Sequence, residues 1–181
     1  DNWKMVCNGS LTLAVLAIFD EIECDLCEPI LTHAFEDTYE AVRTFYDAED
    51  GTYSEGVGYW SYATRYLSFY SAGLQTAAGS DFGLTEWDGV RRSPYFLFAL
   101  SSPDFIGFNF GDAGAAGIDT SLFPWYQKMF GDKGLSELRN EKIRDFSIKS
   151  ANAWYEPSVE TLGAGGISDL LWYEERAVEP L

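Results

Sequence analysis

Apolar side chains recur at three- and four-residue steps along most of this 181-residue chain, and no stretch of any length alternates apolar and polar residues. The first pattern is typical of helices with a buried face, whereas alternation would be typical of half-buried strands. The segment between Ile30 and Phe45 shows the helical spacing. The sequence therefore predicts an all-α fold of successive helices.

Helices joined in hairpins stack into bundles, solenoids or (α/α) toroids. This chain holds too few helices to close a ring, so we expect helical hairpins that form part of an incomplete (α/α) toroid. The predicted helices cover residues 3–22, 25–46, 57–78, 85–100, 122–130 and 136–142. We expect the first to be buried on most sides, because its apolar residues are so dense. Pro94 predicts a kink or a split in the fourth, and Gly79 the end of the third.

The charge balance excludes several classes of partner. The chain has 12 basic and 29 acidic residues, a formal net charge of −17. Such a surface argues against nucleic-acid binding and against docking on anionic membranes. The longest apolar run, from Leu11 to Phe19, is too short to span a bilayer. The chain begins with Asp1 rather than Met, so we expect a processed product or a piece of a longer protein.

The cysteines predict no metal site. Cys24 and Cys27 have the spacing of half a zinc or redox site, but the only histidine is His33 and the third cysteine is Cys7. Because a structural zinc ion needs four ligands, we expect neither a metal nor another cofactor. We interpret Cys24 and Cys27 as small, partly buried residues near a helix start, and the sequence leaves open whether they form a disulfide.

The stretch from Asp50 to Tyr62 is the most unusual in the chain. It is a glycine-punctuated loop that runs into a helix whose first turns carry Tyr59, Trp60 and Tyr62. Helix N-termini favour negative charge, so a phenol there is a candidate for proton transfer. The alternative is that these aromatic residues pack in the core and that Glu55 caps the helix.

Two further blocks are candidates for binding. Residues 105–112 form an aromatic, glycine-rich loop that contains Asn109 and Asp112, which either bind a ligand or bond the backbone of their own loop. Asn2 and Asn8 lie at the start of a very apolar helix, where they either meet a ligand carboxylate or cap the helix.

Three of these segments together resemble the heparinase II/III-like family of polysaccharide lyases and related alginate lyases. The resemblance rests on Asn2-Trp3, on the block Asp-Gly-x-Tyr-x-Glu-Gly-x-x-Tyr-Trp-x-Tyr at residues 50–62, and on Phe-Asn-Phe-Gly-Asp at residues 108–112. It covers roughly residues 1–115. The family has an incomplete (α/α) toroid followed by a β-sandwich domain. The resemblance implies a partial toroid over residues 1–172 and a linker over residues 173–181 toward a missing C-terminal β-sandwich domain.

The family cleaves uronic-acid-containing glycans by β-elimination. By motif, Tyr59 matches the tyrosine that moves the proton, with Tyr62 as the fallback, and either Asn2 or Asn8 matches the asparagine that neutralises the sugar carboxylate. The resemblance makes Trp3 and Trp60 walls that face the sugar. We also assign Glu55, Asn109 and Asp112, polar residues of the two loop blocks, to substrate binding.

Many active members of the family have Asn-His where this sequence has Asn2-Trp3 or Asn8-Gly9. We therefore expect part of a bacterial lyase, periplasmic or secreted, that is inactive alone and acts on an acidic polysaccharide or oligosaccharide. A weakly charged or mixed glycan suits the charge of −17 best.

Two alternatives remain open. One is a glycoside hydrolase on an α/α scaffold that uses two carboxylates among Asp50, Glu55 and Asp112. The other is a non-catalytic helical module that binds a glycan or a protein through exposed aromatic residues.

Overall fold

α-Helices make up the regular structure of the described part of the chain, which is residues 2–21, 23–103, 105–113 and 118–150 of a computed structural model, with side chains described as far as residue 141. The helices are α1 (Trp3–Ile18), α2 (Cys27–Phe45), α3 (Gly56–Ala78), α4 (Asp88–Ala99), α5 (Phe123–Phe130) and α6 (Lys133–Ser150). Among these residues β-structure is limited to isolated bridges. The prediction of an all-α fold is confirmed.

The chain divides into two compact units, Asp1–Ile118 with α1–α4 and Asp119–Leu181 with α5 and α6. The prediction of a toroid domain over residues 1–172 and a linker over residues 173–181 stays a prediction, and the linker lies outside the described residues. No described helix is both long and apolar enough to cross a membrane.

In the first unit α1 packs against both α2 and α3. A short connection joins α1 to α2, so the two form a helical hairpin. On the other side, Gly9 lies against Tyr66, and Leu13 lies against Gly73 farther along both helices. Because the contact positions advance together, α1 and α3 run parallel. The directions of α1, α2 and α3 therefore alternate, which is consistent with the predicted helical hairpins. The toroid stays a prediction.

The prediction that α1 is buried on most sides is wrong. Its buried residues lie on the faces toward α2 and α3: Met5, Asn8, Gly9, Thr12 and Val15. Leu11 is 50% exposed, and Trp3, Ile18 and Phe19 are exposed as well. High apolar density shows that a helix could be covered on several sides, but within the described residues the main packing partners of α1 are α2 and α3.

Pro94 lies inside α4, and the helix continues through it, so the predicted split does not occur. Proline has no N–H to bond the carbonyl of Val90, one turn earlier. The Ser93 hydroxyl donates to that carbonyl instead, at 2.9 Å. The Ser93 hydroxyl thus replaces the hydrogen bond that the backbone of Pro94 cannot donate. Gly79 ends α3 in the left-handed region with φ of 76°, as predicted.

A disulfide bond joins Cys24 and Cys27 at the start of α2, which settles the bonding state that the sequence left open. Their location near a helix start is as predicted, with Cys27 buried and Cys24 half-buried. Cys7 is free and exposed.

The burial pattern predicts unequal effects of one substitution at two leucines. Leu67 of α3 is fully buried, so Leu67→Ala is expected to lower the free energy of unfolding by about 2–5 kcal/mol. Leu11→Ala, at an exposed position of α1, is expected to cost less than about 1 kcal/mol. Urea denaturation followed by far-UV circular dichroism measures both. Equal losses would contradict this packing of α1 and α3.

Candidate functional site

The carboxylate of Glu55 is the point at which the first two motif blocks meet. Glu55 directly precedes α3, and its Oε2 accepts a hydrogen bond of 2.7 Å from the backbone N–H of Asn2. The side-chain amide of Asn2 donates to both carboxylate oxygens at 3.3 and 3.4 Å, and the Tyr53 hydroxyl donates to Oε2 at 3.2 Å. We call Asn2, Tyr53 and Glu55 the Glu55 cluster. It joins the start of α1 to the start of α3.

The loop between α2 and α3 is fixed by its own contacts. The carboxylate of Asp50 accepts bonds from the N–H and the hydroxyl of Thr52. An antiparallel bridge pairs Tyr46 with Tyr53, and their rings meet edge to face with centroids 5.0 Å apart. The Thr52 bonds lower the pKa of Asp50 below its ordinary value. A general acid needs the opposite shift, so Asp50 does not suit that role.

Tyr53 is a buried phenol that stays protonated. Burial raises its pKa well above the ordinary value, and neighbouring Tyr46 and Glu55 raise it further. A neutral phenol donates a hydrogen bond, so Tyr53 holds Glu55 in place. Sequence reasoning did not single out Tyr53, although its position two residues before Glu55 within the motif was a usable signal.

The third motif block lies against the start of α3. Gly56 has a positive φ of 87°, and a Cβ there would lie only 2.9 Å from the carbonyl oxygen of Phe110. Glycine alone permits both the backbone conformation and this close approach. The Phe110 side chain is 52% exposed, and Asn109 and Asp112 are exposed beside it. All three motif blocks therefore converge near the Glu55 cluster.

The second predicted asparagine faces a different carboxylate. The Asn8 amide donates to Asp37 of α2 at 3.0 Å, and the Lys4 ammonium pairs with the other oxygen of Asp37 at 2.5 Å. These two bonds hold the pKa of Asp37 below its ordinary value, with Lys4 the larger cause. Sequence reasoning missed Asp37. Lys4, the only charged residue of α1, was the available signal that a partner exists nearby.

The predicted tyrosines lie on α3 in different surroundings. Tyr59 is half-buried, whereas Tyr62 is exposed and its ring packs edge to face on Tyr66 at 5.3 Å between centroids. A hydrogen bond with Tyr66 is the main cause that raises the pKa of Tyr62 above its ordinary value. The expected stabilisation of an ionised phenol at the helix start is therefore not found at Tyr62.

The two predicted tryptophan walls differ. Trp3 is 62% exposed at the start of α1, one residue after the Glu55 cluster. Trp60 is fully buried, so its ring belongs to the core and offers no face to a sugar. Trp60 lies on the side of α3 that packs into the core. Its burial therefore contradicts its assignment as a wall that faces the sugar.

The described residues contain no group of three or more histidine, cysteine, aspartate or glutamate side chains that could hold a metal ion. The site consists of one carboxylate held by an amide and a phenol, with exposed aromatic rings on either side. Such rings stack on the apolar faces of sugars, and the polar groups fix orientation. The arrangement suits binding better than proton transfer.

Comparison with known proteins gives no family for this chain. No family model matches it, and no curated protein matches it. The resemblance to heparinase II/III-like lyases thus stays a prediction from the motif residues, and the function must be argued from the site.

The contacts of Asp37 predict which substitutions change its pKa. Lys4→Met is expected to raise the Asp37 pKa most and Asn8→Ala by less, because each removes a hydrogen bond to the charged form. Asn2→Ala, which affects only the Glu55 cluster, is expected to leave it unchanged. Carboxyl-detected NMR titration measures all three. A shift in the Asn2 variant equal to that of Asn8→Ala would contradict the separate roles of the two asparagines.

The same lowered pKa gives a stability prediction with a definite sign. A depressed carboxyl pKa stabilises the fold above the unfolded-state pKa, and this contribution is lost as the pH falls through the folded-state pKa. Relative to Asp37→Asn, the unsubstituted chain should therefore lose stability on acidification through that window, as urea midpoints would show. A constant difference at all pH values would contradict the Lys4–Asp37 contact.

Proposed function

We propose that this chain is the glycan-binding helical part of a polysaccharide lyase that acts on a uronic-acid-containing glycan, and that alone it binds the glycan without cleaving it. The observation that carries the proposal is the pair of exposed aromatic side chains, Trp3 and Phe110, next to the Glu55 cluster. They come from segments far apart in the sequence, at the start of α1 and in the loop after α4. Exposed aromatic faces beside a fixed carboxylate are suited to a sugar ring and its hydroxyl groups.

The hydrogen bonds of the two asparagines support binding without cleavage. β-Elimination needs an amide that neutralises the sugar carboxylate. In this chain Asn2 donates to Glu55 and Asn8 donates to Asp37, so both amides are already bound to carboxylates of the protein itself. A lyase role requires further groups, which the proposal places in the missing β-sandwich domain. Tyr59, half-buried on α3, remains the proposed phenol of the complete site.

The charge and the disulfide support two further parts of the proposal. A net charge of −17 disfavours a densely anionic glycan, so we propose a weakly charged or mixed one. The bond between Cys24 and Cys27 is typical of oxidising compartments, which supports a periplasmic or secreted protein.

The glycoside hydrolase alternative has less support. It needs one carboxyl group with a raised pKa as the acid. Asp50 has a lowered pKa, and Glu55 accepts hydrogen bonds from Asn2 and Tyr53 that suit a structural carboxylate.

The exposed aromatic pair predicts that, of two matched phenylalanine substitutions, only the one beside the Glu55 cluster weakens glycan binding. Phe110→Ala is expected to weaken binding of mixed uronate oligosaccharides by roughly tenfold, since a stacked ring contributes about 1–1.5 kcal/mol. Phe19→Ala is the control, because Phe19 is equally exposed, at 52%, but lies at the far end of α1. Isothermal titration calorimetry on the 181-residue chain measures both. Equal weakening by both variants, or no binding by the unsubstituted chain, would contradict the proposal.

A second measurement tests the catalytic part. The chain alone is expected to release no unsaturated uronate from the glycan that it binds, as absorbance of the conjugated product would show. Turnover by the isolated chain that is lost in Tyr59→Phe would overturn the statement that it does not cleave alone. Unsaturated product from a longer protein that contains this chain, lost on Tyr59→Phe, would support the lyase role.

A further inference from the structure

A surface pocket of about 240 Å³ lies between α2 and the loop that leads into α4. Its side chains combine aromatic rings with one cation and one anion: Tyr39, Arg43, Phe82, Glu86 and Trp87. We call this the Arg43 pocket. It shares no residue with the Glu55 cluster, and no predicted site residue lines it.

Within the described part of the chain, the Arg43 guanidinium has two aromatic rings as its interaction partners. Its guanidinium carbon lies 5.0 Å from the centroid of Trp87 and 6.0 Å from that of Tyr39. Among the described residues it makes neither a hydrogen bond nor an ion pair, although acidic residues outnumber basic ones more than twofold. Its donors are therefore free for a ligand, while the guanidinium lies within cation–π distance of both rings.

The wall opposite α2 is rigid because a buried carboxylate holds it. Asp81 accepts hydrogen bonds from the hydroxyl groups of Ser71 at 2.8 Å and Thr85 at 2.6 Å. The indole N–H of Trp87 donates to the backbone carbonyl of Tyr46 at 2.8 Å, which holds the ring that lies nearest the Arg43 guanidinium. The pocket is thus formed in advance of any ligand.

Phe82, at the rim of the pocket, has an unusual backbone. Its φ is 54°, in the left-handed region that a bulky side chain rarely adopts, and its ring is exposed. The ring packs edge to face on Phe35 of α2 at 5.9 Å between centroids. Backbone strain of this kind persists where the surrounding structure fixes it, commonly at ligand-binding sites.

We propose that the Arg43 pocket binds the carboxylate of a hydroxylated ring of monosaccharide size, that is, a sugar acid. A planar guanidinium pairs with a carboxylate through two parallel hydrogen bonds. The aromatic walls contact the apolar face of the ring, and the Glu86 carboxylate, which has no side-chain hydrogen bond within the described residues, accepts bonds from ring hydroxyl groups. Because Glu86 accepts hydrogen bonds from hydroxyl groups, we expect the pocket to bind a sugar acid more tightly than a ring carboxylate that has no hydroxyl groups.

The experiment compares two arginines that carry the same charge. The probe is glucuronate as the free monosaccharide, titrated into the full chain while the indole N–H signal of Trp87 is followed by NMR. Arg43→Gln is expected to weaken binding at least tenfold, the loss of about one charge-assisted hydrogen-bond pair. Arg91→Gln is the control, because Arg91 is an exposed arginine of α4 outside the pocket. It is expected to change the affinity less than about twofold.

Further probes and variants separate binding in the Arg43 pocket from general charge attraction and from binding at the Glu55 cluster. Arg43→Lys, which keeps the charge but loses the planar donor pair, should bind with intermediate affinity. Glucose should not bind, because it lacks the carboxylate. The Trp87 signal reports on the Arg43 pocket, whereas calorimetry on Phe110→Ala reports on the Glu55 cluster, so failure of the proposed function and failure of this site are distinguishable.

Three results would overturn the proposal. These are equal weakening by Arg43→Gln and Arg91→Gln, no shift of the Trp87 signal with glucuronate, and binding of benzoate as tight as that of glucuronate. A thermal melt of each variant shows that it is folded, which is expected since Arg43 is exposed.

Discussion

The hydrogen bonds to the Glu55 carboxylate are the interaction on which the candidate site depends. Asn2, at the start of α1, and Tyr53, in the loop before α3, both donate to it. A half-buried carboxylate needs such donors, and each bond to a charged group stabilises the fold by about 1.5–3 kcal/mol. Through this one group the starts of two parallel helices are joined, and the Phe110 loop packs against the same place at Gly56.

Much of the fold could be predicted because its determinants are local. Helical periodicity and the left-handed Gly79 depend on residues within a turn or two of one another, and the bounds of α3 and α5 follow closely from them. The exposure of α1 could not be predicted in this way. Apolar density shows that a face is able to be buried, but it does not show which neighbours exist to bury it.

The site was predictable in its residues but not in their roles. The motif blocks marked Asn2, Glu55 and Tyr59, yet Asn2 and Glu55 are partners separated by 53 residues, a relation that no spacing in the sequence reveals. Trp60 was assigned to a sugar wall from the family resemblance, whereas its burial follows from the packing of α3. The Arg43 pocket was invisible for the same reason, since α2 and the loop before α4 meet only in the folded chain.

The central claim is that the three motif blocks form one glycan-binding surface around Glu55. Backbone amide NMR of the chain, titrated with a mixed uronate oligosaccharide, tests it most directly. The account predicts that the largest shifts fall together on Asn2 and Trp3, on the first turn of α3, and on residues 110–113. Large shifts confined to α5 and α6, or shifts at one block without the others, would contradict it.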